Sequence, residues 1–237
     1  MINPFRKFSA SAPVRLSCQA VFVSETGLVR ADNQDNVLVA PKHGVFCVAD
    51  GLGGGVDGGR ASGLVCEAVN AALPALGSDF RSRVQAVRQA LAQANDSIYA
   101  LARRQGRGWM GSTAAVVVFD PHANTRMAAL SVGDTRVYLV RGGMARRLTR
   151  DHRIPGETTL TRAVGVRPTL VCDVGDFAVR SGDRFVICTD GVHGVMSDGR
   201  IAVYASGGTV EAAAERLANG VVRAGAPDNY SFILIGL

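Results

Sequence analysis

The sequence has no apolar run that approaches the roughly 20 residues of a bilayer-spanning helix. Its longest, 114–119 with its neighbours, is far shorter, so no membrane span is expected. Residues 1–13 carry Arg6 and Lys7 with no apolar stretch behind them; this does not read as a secretory signal and points to the cytoplasm. Cysteine is sparse and unpatterned. Cys18, Cys47, Cys66, Cys172 and Cys188 are odd in number and lack C-x-x-C spacing, which argues for buried reduced thiols rather than a disulfide framework or a zinc site. Aromatics are few among the arginines at 103, 104 and 107 and at 146, 147, 150 and 153. The net charge of +6 therefore reads as a solvated basic surface, with no nucleic-acid partner and at most a pull on phosphorylated substrates. No repeat, low-complexity tract or Pro/Ser linker divides the chain. We expect a monomer with one domain over 11–237 behind an N-terminal extension over 1–10.

With 47% apolar and 19% charged residues, 237 positions are enough to bury a large core. Runs rich in β-branched and apolar residues, bounded by Gly or Asp, predict strands over 14–24, 36–40, 45–49, 112–119, 126–132, 136–141, 176–179, 184–188 and 230–236. One helix is expected from near Gly59 toward Leu73. A second carries Val84, Val87, Leu91, Ala94, Ile98 and Leu101 at steps of three and four. A third starts after Thr209, a suitable N-cap, with Glu211 in its first turn and a body reaching about Arg223. Strands in series with helices between them suit an α+β fold: a four-layer α-β-β-α sandwich of two antiparallel sheets flanked by helices.

Aspartates recur at the ends of these strands: Asp35, Asp50, Asp134, Asp190 and Asp228. A single Asp beside Gly or Asn is explained by turn formation. Five at the ends of apolar strands are harder to dismiss. If those ends converge, the carboxylates repel one another and need cations between them. All-oxygen ligation selects hard ions, Mg²⁺ or Mn²⁺. Two such ions about 3.5–4 Å apart can share a water, lower its pKa and offset phosphoryl charge, which suits phosphoester hydrolysis. Arg30, five residues before Asp35, could grip phosphate oxygens bidentately.

The residues then match a known pattern. Arg30-Ala31-Asp32-Asn33-Gln34-Asp35, Val48-Ala49-Asp50-Gly51-Leu52-Gly53-Gly54, Gly59-Arg60-Ala61-Ser62, Gly111-Ser112-Thr113 and Val132-Gly133-Asp134-Thr135-Arg136-Val137-Tyr138 occur in that order. Leu148-Thr149-Arg150-Asp151-His152, Thr161-Arg162-Ala163-Val164-Gly165, Cys188-Thr189-Asp190-Gly191-Val192 and Asp228-Asn229-Tyr230-Ser231 follow. Through this series the chain resembles the metal-dependent protein serine/threonine phosphatases of the protein phosphatase 2C type, in their bacterial stand-alone form. The resemblance implies that Asp35, Asp50, the Gly51 carbonyl, Asp190 and Asp228 bind two ions, Mn²⁺ or Mg²⁺, directly or through water. It implies that Asp134 joins Asp190 at a third, more weakly held ion, and that Arg30 holds the substrate phosphate. Arg30 and Asp35 are the residues expected to act in catalysis, by direct attack of a water on phosphoserine or phosphothreonine with no phosphoenzyme. Phosphorylated proteins would be the substrates and a serine/threonine kinase the opposing partner. Two departures stand out. Leu52 and Gly55 occupy positions where relatives carry a histidine, which leaves the general acid unassigned, with His152 and His193 read as structural. The flap around 153–160 is short.

Rival readings fit less well. Gly53 to Gly58 matches G-x-G-x-x-G, yet Asp50 at the strand end would repel a pyrophosphate and no βαβ series follows. No cysteine precedes an arginine by six positions, and D-x-D, H-E-x-x-H and Walker lysine motifs are missing. A catalytically silent module that binds a partner remains a rival, resting on the missing histidine and the short flap.

Overall fold

A computed structural model of the chain describes residues 6–9, 18–53, 56–104, 110–122 and 125–237. The elements run β1 (Arg6–Ser9), β2 (Gln19–Glu25), β3 (Asp35–Ala40), β4 (Val45–Leu52), α1 (Val56–Ala72), α2 (Phe80–Arg104), β5 (Gly111–Ser112), β6 (Ala114–Phe119), β7 (Arg126–Val132), β8 (Arg136–Arg141) and β9 (Met144–Arg147). They continue with β10 (Asp173–Ala178), β11 (Arg184–Cys188), α3 (Asp190–His193), α4 (Asp198–Ala205), α5 (Val210–Arg223) and β12 (Tyr230–Gly236). One sheet has the order β1-β2-β12-β11-β8-β9 and the other β10-β7-β6-β4-β3, with β5 paired to β4; every ladder is antiparallel.

The central strands read as unbroken apolar runs because both their faces are covered. In β6, Ala114, Val116 and Val118 pack toward α1 and α2 with Val65, Val69, Leu91 and Ile98. The alternate residues Ala115, Val117 and Phe119 join Phe46, Phe185, Ile187 and Ile233 between the sheets. On the far side Phe232 and Leu234 of β12 meet Leu217 and Val221 of α5 and Ile201 of α4. This is the expected α-β-β-α sandwich. Each fully buried Val, Leu or Phe contributes about 1.5–3 kcal/mol, so three continuous apolar interfaces dominate the energetics.

The α2 stripe buries Val87, Leu91, Ala94 and Ile98, as its spacing predicts. Thr209 caps α5 by accepting a hydrogen bond from the Ala212 amide at 3.2 Å. The strand expected over 14–24 runs from Gln19; residues 14–17 lie outside the described set. The strand expected over 112–119 is broken at Thr113, and that over 176–179 begins at Asp173. Residues 6–9, expected as part of an extension, pair with β2 as an edge strand. The sequence reading missed β9, α3 and α4; α3 and α4 are short helices with little room for a periodic stripe. No described helix is long and apolar enough to cross a membrane.

Candidate metal centre

Strand register brings the acids together. Asp35 opens β3 and Asp50 lies near the end of β4, and the antiparallel ladder sets them directly opposite each other. In the other sheet β11 runs into Asp190 as β12 emerges from Asp228, with Cys188 paired to Phe232. The sheets are joined at this end by Thr189. Its amide donates to the Ser231 carbonyl at 3.0 Å, and its hydroxyl donates to Asp35 Oδ2, also at 3.0 Å. Asp134 follows β7 and is buried. Thr113 links the two halves of this edge: its hydroxyl accepts from the Asp50 amide at 2.9 Å and lies 2.5 Å from the Thr135 hydroxyl.

Two glycines permit the approach. A Cβ on Gly51 would lie 2.2 Å from the Gly58 carbonyl oxygen, so β4 can meet the first turn of α1 only without a side chain there. A Cβ on Gly191 would lie 1.9 Å from the Asn229 carbonyl oxygen, where α3 crosses the start of β12. Asn229 fastens the same corner. Its Oδ1 accepts from the Gln34 amide at 2.9 Å, and its Nδ2 donates to the Thr26 and Asp32 carbonyls at 2.8 Å. The loop carrying Arg30 is thereby held against the loop carrying Asp228.

Crowding shows in the electrostatics. Burial drives the Asp50 carboxyl well above its ordinary range, and Asp35, Asp190, Asp134 and Asp228 push it the same way. Burial lifts Asp35 to about 7, against the pull of the Ser231 and Thr189 hydroxyls. Asp134 rises to about 6 through burial and the charge of Asp190, partly offset by Arg153. Asp190 is raised by burial and by Asp228. Asp35 Oδ1 is buried with no hydrogen-bond partner among the described residues. A buried carboxylate oxygen left unpaired is costly, and hard oxygen donors of this kind fit Mg²⁺ or Mn²⁺. Among the described residues no three His, Cys, Asp or Glu side chains are drawn so tightly together that they already close on one ion. The acids form a neighbourhood, not a finished cage.

Arg30 and Arg153 supply the local positive charge. Arg30 pairs with Asp228. Arg153 Nη2 lies 2.9 Å from Asp134 Oδ2 and 4.0 Å from Asp190 Oδ2. Arg153, Thr189 and Asn229 were not given a role from sequence. Thr189 and Asn229 each stand beside a recognised Asp, which was the available signal; Arg153 was counted only among dispersed surface arginines and as the start of the short flap. The motif histidines are both buried and bonded. The His152 ring accepts from the Gly133 amide at Nδ1 (3.1 Å) and donates from Nε2 to Asp173 at 2.9 Å. His193 Nε2 donates to the Asp134 carbonyl at 3.0 Å, and burial pushes its pKa down to about 4. Gly55 lies outside the described residues. The antiparallel pairing around the glycine turn removes the dinucleotide-binding rival, which needs parallel strands.

Known proteins share this fold. A family model described as Protein phosphatase 2C matches residues 26–214. The serine/threonine protein phosphatase PstP of Mycobacterium tuberculosis is 30% identical over 238 residues, covering 89% of this chain and 43% of that protein. The chain thus spans less than half the length of that relative. Among solved structures, PppA, described as a key regulatory component of T6SS in Pseudomonas aeruginosa, superposes with a TM-score of 0.87 at 32% identity, covering 92% of this chain and 97% of that one. The catalytic domain of PstP in complex with two manganese ions gives a TM-score of 0.78 at 29% identity, with the same coverages of 92% and 97%.

Proposed function

The chain belongs to the protein phosphatase 2C family, and from that membership we propose that it is a metal-dependent phosphatase acting on phosphoserine and phosphothreonine in proteins. The observation that carries the reading is the meeting of Asp35, Asp50, Asp190 and Asp228 from two sheets at one edge, with the buried Asp35 Oδ1 unpartnered among the described residues. These side chains and the Gly51 carbonyl would hold two ions, Mn²⁺ or Mg²⁺, and Asp134 with Asp190 would hold a third. When bound, the ions supply Lewis-acid charge that makes water nucleophilic near neutral pH and offsets phosphoryl charge. Arg30, more than half exposed, exchanges Asp228 for the phosphate oxygens of the substrate. Thr189 and Ser231 hold Asp35 in orientation, and Asn229 keeps the Arg30 loop over the acids. A serine/threonine kinase in the cytoplasm is the partner this activity opposes, and the enzyme acts as a monomer.

The test is turnover of phosphoserine, phosphothreonine and phosphotyrosine peptides across divalent ions. We expect activity that requires Mn²⁺ or Mg²⁺, stops with chelator, disfavours phosphotyrosine and disappears in Asp190→Asn. Metal binding without turnover would replace the enzyme by a silent binding module.

A further inference from the structure

Beside the acids the surface opens into a cavity of about 600 Å³ whose lining the chemistry above does not use. Its walls include Leu52, Val132, Leu160, Val166 and Leu170, with Arg162 at one side. Two of these walls are continuous with the candidate centre. Leu52 is the second residue after Asp50 in β4, and Val132 ends β7 two positions before Asp134. Leu160 forms an isolated bridge with Arg153, the residue that reaches Asp134. Arg162 donates to Asp173 at 2.7 Å, Asp173 accepts from His152, and His152 accepts from the Gly133 amide. The cavity is therefore braced to the acidic edge through backbone and side chains alike.

Its chemistry is that of a side-chain pocket. Thr158, Thr159, Thr161 and Thr169 and two arginines stand among the apolar residues, so hydrogen-bonding groups and apolar surface share one lining, as in a built ligand site. Val166 remains 39% exposed and Val171 55% exposed, large aliphatic side chains that the described residues leave uncovered. Arg162 on the lining is paired with Asp173, while Arg167 beside it is exposed, a positive charge that complements a chain carrying phosphate. A phosphoryl group seated at the acids would place the neighbouring residues of its own chain over this opening.

We infer that this cavity is the subsite for a large apolar side chain flanking the phosphorylated residue, so that the enzyme selects phosphopeptides by that neighbour. The inference rests on the phosphatase reading above. It is tested with phosphothreonine peptides that differ at the residues before and after the phosphate, Leu or Phe against Ser, and with p-nitrophenyl phosphate as a substrate too small to reach the cavity. The wild type should favour the apolar peptide at one flank by about tenfold in kcat/KM, an ordinary return for one buried apolar side chain. Val166→Asp and Val166→Trp, which charge and fill the cavity at an exposed position, should each reduce that preference to within about twofold, with p-nitrophenyl phosphate turnover unchanged. Equal rates on all peptides in the wild type, or a preference that survives both substitutions, would overturn the inference alone. Failure to hydrolyse p-nitrophenyl phosphate with Mn²⁺ present would instead overturn the phosphatase reading, and this subsite with it.

Discussion

Arg30 holds Asp228 through two parallel hydrogen bonds, Nε to Oδ1 and Nη2 to Oδ2, both 2.8 Å long. The residue expected to grip phosphate thus grips a residue expected to bind metal. The loops that carry them are pinned side by side, since the Leu28 amide donates to the Ala226 carbonyl at 2.8 Å. Exposed ion pairs contribute little to stability, so Arg30→Ala should leave the melting temperature nearly unchanged. It should lower kcat/KM for a phosphopeptide by about 10- to 100-fold, the worth of a charge-assisted bidentate contact. Manganese affinity, followed by calorimetry, should not weaken, because Asp228 is freed. A tenfold weaker affinity would mean that Arg30 positions Asp228 rather than phosphate.

The raised carboxyls set a pH dependence with a definite sign. Asp35 at about 7 and Asp134 at about 6 bind protons more tightly folded than unfolded. In chelator the folded state should therefore lose stability as pH rises through this range, because the unfolded chain ionises first. Between about pH 5.5 and about pH 8 the loss for Asp35 is on the order of 2 kcal/mol, or roughly 4–8 °C in melting temperature. Mn²⁺ should reverse the trend, since metal binding displaces those protons. Melting scans at about pH 5.5 and about pH 8, with and without Mn²⁺, check it. A chelated protein more stable at the higher pH would contradict the crowding of the acids.

Gly191→Ala tests the crossing of α3 over β12. The added methyl would meet the Asn229 carbonyl at 1.9 Å, and Gly191 stands between Asp190 and the rest of α3. We expect a loss of about 2 kcal/mol or more in stability and a larger loss in Mn²⁺ affinity, because backbone must shift where two acids are placed. Gly199→Ala is the control. Nothing lies within 4 Å of its added carbon, and in α4 the change should stabilise by a few tenths to about 1 kcal/mol. Similar effects from both would show that α3 has room to move.

Much of this was legible in the chain. Most strands, the α2 stripe and the Thr209 cap follow from periodicity and local bonding, which depend on neighbours in sequence; the break at Thr113 and the start of β10 at Asp173 do not. The five aspartates could be listed for the same reason. What could not be read was the pairing among groups far apart in the chain: Arg30 with Asp228, Thr189 with Asp35, Asn229 with Gln34 and Asp32. These are set by register and by the stacking of two sheets. Gly191 was visible as the residue after an Asp, but only the structure shows that Asn229 lies against it.

Arg153 pairs with Asp134, and among the described residues its Nε is buried without a partner. A guanidinium in that place neutralises part of the charge that Asp134 and Asp190 would otherwise offer to an ion, so the two compete. Replacing it by methionine keeps the unbranched stem out to about the position of Nε and removes the guanidinium and its charge. With Arg153 gone, Asp134 should be pushed further up, since Arg153 is what holds it down. The chelated Arg153→Met protein should then lose more stability at about pH 8 than at about pH 5.5, where a protonated Asp134 needs no counter-ion. Saturating Mn²⁺ should restore it, and the number of ions bound per chain, measured by elemental analysis, should rise by about one relative to wild type. An unchanged ion count with the same loss at both pH values would show that Arg153 only packs the short flap and does not compete for these acids.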